Sequence, residues 1–201
     1  MRRQQIKRET DLQIITRWVP EESSVLDLGC GRGILLEHLQ RHRKARVVGV
    51  DAQLEKVQSC VKRAVPVYHG DMEAFLEVFP EGAFDWVVLS RTLPELREPG
   101  SLIRKALRVG RNLAVGFINY GYWLNRWHAV RHGTRPVNEV FPQSWDKGAP
   151  DNPVTVNGFR HFVAKEGLTI EQAVYLRGDW KHPVNVLPNL TAGYALYHLR
   201  S

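Results

Sequence analysis

The chain alternates two patterns of apolar residues: short continuous runs, and longer segments in which apolar residues recur every three or four positions. A short continuous run is typical of a strand buried on both faces, and the longer spacing is typical of an amphipathic helix. Strands are predicted at 24–29, 45–51, 65–71, 84–90 and 112–119. Helices are predicted between them at 34–42, 54–64 and 100–110. Strands that alternate with helices in this way form a parallel, doubly wound α/β sheet.

The start of the chain adds a helix to this repeating core. Leu12, Ile15 and Trp18 are at helical spacing, and Pro20 follows them. Because proline cannot continue a helix, a lead-in helix is predicted over 3–18.

After the fifth predicted strand the pattern changes. Segment 120–153 is rich in tryptophan, proline and glycine, with weak helical periodicity confined to 121–132. A helix is predicted over 155–168, and the alternating segments 169–176 and 191–199 predict two closing strands. We expect these strands to pair in the antiparallel sense at one edge of a seven-stranded, mostly parallel sheet.

Composition narrows the class of protein. The 201 residues are 43% hydrophobic, which is enough for one domain with a buried core. No apolar run approaches the length that spans a bilayer, and the basic N-terminus lacks the apolar stretch of a secretory signal. The expectation is a soluble cytoplasmic protein without a membrane partner.

Cysteine usage and charge exclude two further classes. The two cysteines, Cys30 and Cys60, give neither a disulfide framework nor a zinc spacing, so no metal site is expected. The net charge is +7, but the basic residues are spread along the chain. The densest cluster, at 41–46, falls at the predicted end of a helix, where cations complement the helix dipole. The charge pattern therefore does not favour a nucleic-acid partner.

The stretch "VLDLGCGRG" at 25–33 indicates a ligand-binding turn. A dinucleotide site needs glycines spaced G-x-G-x-x-G, but this turn has Gly29, Gly31 and Gly33, followed by Ile34. An apolar strand, an acidic residue and G-x-G-x-G together resemble the first motif of class I S-adenosylmethionine-dependent methyltransferases. The resemblance implies that S-adenosylmethionine or S-adenosylhomocysteine binds at the carboxyl ends of the strands.

The same resemblance assigns roles to residues at the strand ends. It implies that the three glycines let the backbone approach the methionine part, that Cys30 within the turn also contacts the cofactor, and that Asp27 lies near the ammonium group. Asp51, 18 residues after Gly33, is expected to accept both ribose hydroxyls. The remaining expected contacts are Ala52 and Gln53 beside the adenosine, Asp71 at the adenine amino group, Met72 beside the ring, and Ser90 at the end of the fourth strand.

The sequence identifies no catalytic residue. Methyl transfer is an in-line displacement that depends mainly on proximity and orientation, so an active enzyme needs no obligatory base. The fourth strand ends in "LSRTLPEL", which lacks the Asn-Pro-Pro-aromatic tetrad of methyltransferases that act on amide or base nitrogens. This argues against DNA adenine or protein glutamine as the substrate.

Several segments together resemble a narrower family, the methionine biosynthesis protein MetW family. The most diagnostic are "LRVGRNLAVGFINYGYW" and "LPNL" followed by "ALY", and the resemblance covers nearly the whole chain from about residue 12. It implies a methyltransferase-like protein that binds the cofactor and supports homoserine O-acetyltransferase, with no established methyl acceptor. The alternatives are an active methyltransferase on a small molecule and, less favoured, an RNA methyltransferase.

The resemblance also predicts the parts of the domain and shows where the chain departs from the family pattern. One domain over 1–201 is expected, made of a helix (1–20), a cofactor-binding half (21–119), an aromatic-rich insertion or lid (120–153) and a closing part (154–201). Departures from the family pattern are Arg32, Ile118 and Tyr122, and the expected histidine before the 155–168 helix is missing, with Pro153 near its place. Aromatic residues dominate many interfaces, so the partner or lid candidates are Tyr120, Tyr122, Trp123 and Trp127.

Overall fold

A computed structural model describes residues 2–134 and 152–201 of the chain. The strands are β1 (Ser24–Leu28), β2 (Arg46–Asp51), β3 (Val67–His69), β4 (Phe84–Ser90), β5 (Gly110–Ile118), β6 (Thr169–Leu176) and β7 (Tyr194–Arg200). The helices are α1 (Arg2–Trp18), α2 (Ile34–Arg43), α3 (Leu54–Lys62), α4 (Met72–Glu77), α5 (Pro99–Val109), α6 (Trp123–His132), α7 (Val156–Lys165) and α8 (Pro188–Thr191). The predicted alternation of strands and helices is confirmed.

The strands form one seven-stranded sheet in the order β3-β2-β1-β4-β5-β7-β6. Strands β1 to β5 pair in parallel, whereas β7 runs antiparallel to both of its neighbours, β5 and β6. The predicted doubly wound sheet with an antiparallel pair at its edge is thus confirmed. Chain order reverses between β1 and β4, and ligands in such sheets bind at the carboxyl ends beside that switch point.

Helices cover both faces of the sheet. Along β1, Val25 packs into a core that includes Ile15 of α1, and Leu26 packs into a core that includes Leu102 of α5. Consecutive strand residues point to opposite faces, which explains why β1 reads as a continuous apolar run. Both faces are therefore filled, and the carboxyl ends of the strands remain open for a ligand.

The third predicted strand is shorter than expected. The sequence predicts a strand over 65–71, but β3 ends at His69, and α4, which was not predicted, begins at Met72. Asp71 Oδ1 accepts a hydrogen bond from the Ala74 N–H at 2.8 Å. A carboxylate at this position caps a helix, so the local capping interaction ends the strand.

The predicted insertion is only partly described. Helix α6 confirms the helical periodicity over 121–132, whereas residues 135–151 lie outside the described part of the chain. Within the described ranges, no helix combines the length and apolar character that a membrane crossing requires. The cytoplasmic location stays a prediction.

Candidate cofactor site

A cavity of about 520 Å³ opens at the carboxyl ends of β1, β2 and β4. This volume is in the range of small-molecule sites. The sequence-predicted residues that line it are Asp27, Gly29, Cys30, Gly31, Asp51, Ala52, Gln53, Met72 and Ser90, together with the family departure Arg32. Distant parts of the sequence are thus brought together at the switch point.

The glycine turn has a backbone conformation that only glycine adopts readily. Gly29, Gly31 and Gly33 have φ angles of 75°, 58° and 73°. In this left-handed region another residue type costs about 1–2 kcal/mol. The amides of Gly29 and Cys30 both donate to the Val50 carbonyl, at 2.8 and 2.9 Å, so the turn is anchored to β2.

The three glycines differ in what they face. A Cβ added at Gly31 would meet nothing within 4 Å, whereas one at Gly33 would lie 2.9 Å from the Cys60 sulfur. A Cβ at Gly29 would lie 2.8 Å from Thr92 Oγ1. Gly31 therefore leaves open space at the cavity, while Gly33 allows the turn to pack on α3 and does not itself line the cavity.

Asp51, the last residue of β2, connects the glycine turn after β1 to the backbone that follows β2. Its Oδ2 accepts from the Gly31 amide and its Oδ1 from the Gln53 amide, both at 2.9 Å. Lys56 Nζ is 3.7 Å from Oδ2. Because a carboxylate has about four lone-pair positions, two amide bonds leave acceptor capacity for a ligand.

Asp27 is a buried carboxyl group without a described partner. It is 4% exposed, and its side chain makes no hydrogen bond within the described ranges. Burial, and secondarily the charge of Asp51, raises the pKa of Asp27 to about 7. A buried carboxylate without a partner favours a cation beside it. We call Asp27, Gly29, Gly31 and Asp51 the glycine wall.

Sequence reasoning missed a further part of the cavity lining. It includes Asp11, Leu12, Ile15 and Arg91, which we call the helix wall. Asp11 Oδ2 accepts hydrogen bonds from Arg91 Nε at 2.9 Å and Nη2 at 2.6 Å. The guanidinium also lies over the Trp180 ring, 4.8 Å from its centroid. One signal was available: Asp11 precedes Ile15 by one helical turn, so an acidic residue occupies the buried face of α1.

The two walls meet near the end of β4. Thr92, directly after Arg91, donates from Oγ1 to the Leu28 carbonyl at 3.2 Å. Ser90 Oγ is 3.2 Å from the Tyr194 hydroxyl, and burial raises the pKa of that hydroxyl. Residues 90–92 therefore connect the glycine turn to α1 and to the start of β7.

Two groups of predicted residues lie away from the cavity. Asp71 caps α4 instead of lining the cavity, so its contact with adenine stays a prediction. Tyr120, Tyr122, Trp123 and Trp127 also do not line it.

Helix α6 presents apolar side chains to solvent. Trp123 is 48% and Trp127 60% exposed, and Leu124 and Val130 are also exposed. Positions 123, 127 and 130 recur at helical spacing, so these side chains form one stripe, which we call the α6 stripe.

Comparisons with known proteins match the chain to one family model and to relatives named for methionine biosynthesis or methyl transfer. A family model described as "Methionine biosynthesis protein MetW" matches residues 9–199. The chain is 31% identical over 198 residues to the bifunctional methionine biosynthesis protein MetXA/MetW of Rhodopirellula baltica, with 92% of this chain and 32% of that protein covered. It is also 28% identical over 145 residues to the ribosomal protein L11 methyltransferase of Methylobacillus flagellatus, covering 71% and 45%. The chain therefore spans between about a third and a half of these relatives' lengths.

Solved structures share the fold at low sequence identity. A SAM-dependent methyltransferase from Archaeoglobus fulgidus superposes with a TM-score of 0.68 at 13% identity, covering 99% of this chain and 94% of that one. The magnesium protoporphyrin IX methyltransferase ChlM of Synechocystis, solved with bound SAH, gives 0.66 at 16% identity, covering 98% and 84%. The sheet and its helices thus form the class I methyltransferase fold.

Proposed function

Because this chain belongs to the MetW family of methionine biosynthesis proteins, we propose that it binds S-adenosylmethionine or S-adenosylhomocysteine and acts as a companion of homoserine O-acetyltransferase. The observation that supports the cofactor most directly is the glycine wall. It combines an open backbone approach at Gly31 with two buried carboxyl groups, Asp27 and Asp51, around one cavity.

The residues present fit the chemistry of this cofactor. Its ammonium group is a cation that complements the buried, unpartnered Asp27. Its ribose hydroxyls are donors that match the acceptor capacity remaining on Asp51, whose position is fixed by two backbone amides. Arg32 adds a cation in the turn, close to where the carboxylate of the methionine part is expected.

When bound, S-adenosylmethionine supplies a methyl group on a sulfonium centre. The chain's own contribution is to bind and orient: Asp51 and the Gly31 amide fix the turn, and the apolar Leu12, Ile15 and Met72 exclude water from the cavity. In-line transfer needs little beyond such positioning, so binding and catalysis are separable properties of this site.

The companion role rests on the family and on one surface. The relative's name joins MetXA and MetW in one chain, and linking two modules raises their effective concentration for each other. The α6 stripe exposes two tryptophans, and aromatic side chains contribute disproportionately to interface energy. We therefore assign the α6 stripe to contact with the acetyltransferase.

Two experiments test the proposal, one for cofactor binding and one for the companion role. Calorimetry of the purified chain with S-adenosylhomocysteine is expected to give saturable binding, and the absence of heat at high micromolar ligand would reject the cofactor site. Mixing with homoserine O-acetyltransferase is expected to give co-elution or raised acetyltransferase activity, which Trp127→Ser weakens. Val61→Ser, a substitution of an equally exposed apolar residue on α3, is the matched control and should change nothing.

A second candidate, methyl transfer to a small molecule, is favoured by one observation. The end of β4 and the turn after it line the cavity with Ser90, Thr92 and Glu95, which are polar side chains able to bind an acceptor. Consumption of labelled S-adenosylmethionine with a fraction of cell extract, together with no effect on the acetyltransferase, would favour this function over the companion role.

A further inference from the structure

We propose that the exposed apolar residues Val186, Leu187 and Leu190, at and just before α8, are a second part of the surface that contacts homoserine O-acetyltransferase. We call these three residues the α8 patch. The inference rests on the proposed function, since it extends the interface assigned there to the α6 stripe. It gives that interface two elements from distant parts of the sequence.

Asn119, directly after β5, joins the two elements. It is buried, and its Nδ2 donates to the Ala192 carbonyl at 2.7 Å and to the Asn189 carbonyl at 3.0 Å. Its Oδ1 accepts from the Gly121 amide at 3.0 Å, two residues before Trp123. Because both ends of this amide side chain are bound, it fixes α8 against the start of α6.

The α6 stripe and the α8 patch are close enough for one partner to cover both. A Cβ added at Gly121 would lie 2.8 Å from the Asn189 carbonyl oxygen, so the two segments pack directly against each other. Trp123 and Leu187 are each two residues from that contact, which is at most about 8 Å along the chain. A standard interface covers about 800 Å² of each partner, a patch about 30 Å across. One such interface therefore includes Trp123 and Leu187.

Neither packing nor backbone preference explains a leucine at position 187. Its φ of 46° is in the left-handed region, which glycine adopts without steric cost and leucine does not. The side chain is 66% exposed, so it gains little from the core in return. Thr191 Oγ1 donates to the Val186 carbonyl at 2.6 Å and holds the segment in this shape. A large apolar side chain held outward at a strained position indicates a contact outside this chain.

The charges beside this surface define the chemistry of the partner. Helix α6 carries Arg126 and Arg131 and has no acidic residue, and the segment 183–192 has no charged residue. A complementary surface on the acetyltransferase is therefore apolar at its centre, with carboxylates at the edge that meets α6. Contacts between such charges are screened by salt, so the affinity between the two proteins should fall as the salt concentration rises.

The test measures, by calorimetry, how variants at position 187 bind purified homoserine O-acetyltransferase. Leu187→Gly suits the left-handed backbone and removes only the side chain, so the midpoint of thermal unfolding should not fall, whereas affinity should fall about tenfold. Leu187→Asn, which also tolerates this backbone but is less flexible than glycine, should weaken binding equally. Leu187→Met keeps an apolar side chain and should bind within about twofold of wild type.

Val61→Ser is the matched control, because Val61 is 65% exposed but lies on α3. It should change neither affinity nor the unfolding midpoint.

The outcomes that would overturn the inference are distinct. Unchanged affinity in Leu187→Gly, with binding weakened in Trp127→Ser, would confine the interface to the α6 stripe and leave the companion role intact. A lower unfolding midpoint in both Leu187→Gly and Leu187→Asn would give Leu187 a structural role instead. A dimer of this chain that Leu187→Asn dissociates would assign the α8 patch to a second copy. If the wild-type chain did not bind the acetyltransferase, the companion role itself would fail, and the inference with it.

Discussion

The glycine wall and the helix wall face the same cavity but are built differently. The glycine wall depends on backbone geometry: two left-handed glycines, Gly29 and Gly31, and the Asp51 carboxylate, which accepts from two amides. The helix wall depends on one side-chain ion pair, Asp11 with Arg91, between residues 80 positions apart. The comparison teaches that one wall follows from a local motif, whereas the other requires the complete fold.

Substitutions in the two walls should therefore have different effects, one mainly on stability and the other mainly on ligand affinity. A change in the helix wall leaves a buried charge unpaired, and we expect it to lower stability first. A change in the glycine wall removes ligand contacts from a site whose backbone remains in place, and we expect it to lower affinity first. Each prediction below is a test of that division.

The largest expected effect is on stability, in Arg91→Leu. This substitution leaves the Asp11 carboxylate buried without its cation, which typically costs 3–5 kcal/mol. Because the Arg91 side chain is 30% exposed and water screens part of the charge, we expect a loss of about 3 kcal/mol in the free energy of unfolding. Urea denaturation measures it.

The control for Arg91→Leu is the double variant Asp11→Leu with Arg91→Leu. It removes both charges together, and a matched apolar pair is often as stable as the ion pair. Recovery of most of the lost stability would confirm that the unpaired carboxylate causes the loss. A loss below about 1 kcal/mol in the single variant would show that the ion pair does not support the helix wall.

The next largest effect is on affinity, in Asp51→Ala. The variant removes the acceptor of the ribose hydroxyls and also the acceptor of the Gly31 and Gln53 amides. We expect affinity for S-adenosylhomocysteine to fall by about a hundredfold in calorimetry. Glu55→Ala, which removes an exposed carboxylate on α3, is the control. An affinity for Asp51→Ala within threefold of wild type would remove Asp51 from the site.

Most of the fold could be predicted because each element has its own pattern. Strand β1 is buried on both faces and α5 is amphipathic, so the alternation of strands and helices was visible in the sequence. Helix α4 could not be found in this way, because six residues are too few for a helical period to appear. There the capping carboxylate of Asp71 decides the local structure.

The residues of the site show the same difference between what a local pattern predicts and what it does not. Asp27, Gly31 and Asp51 line the cavity as predicted, because a strand end fixes their place relative to the switch point. The pairing of Asp11 with Arg91 depends on how α1 packs across the end of β4, and no short-range spacing encodes that contact. The acidic residue on the buried face of α1 was the visible sign, but its partner was not.

Within the glycine wall, Asp51 accepts hydrogen bonds from backbone amides, whereas Asp27 has no described hydrogen-bond donor. Because Asp27 is buried without such donors, its ionisation makes the stability of the fold depend on pH. The pKa of Asp27 is raised from 3.8 to about 7, so between these values the folded protein binds a proton that the unfolded chain has lost. The contribution of Asp27 to stability therefore falls as pH rises through this window and is constant above it. A bound ammonium favours the ionised form, so it should oppose this loss.

The smallest predicted effect follows from that linkage. Affinity for S-adenosylhomocysteine should rise as pH rises through about 7 and level off above it, since binding requires Asp27 to be ionised. With a pKa of about 7 for Asp27, calorimetry at pH 7 and pH 6 should show a fall of about fivefold. In Asp27→Asn we expect weaker binding that no longer changes between these pH values, and 5′-methylthioadenosine, which has no ammonium, should show no such dependence on either protein. A pH dependence that persists in Asp27→Asn would instead assign the titrating group to the helix wall, where burial also raises the pKa of Asp11 and where Arg91 and Tyr194 lower it by less.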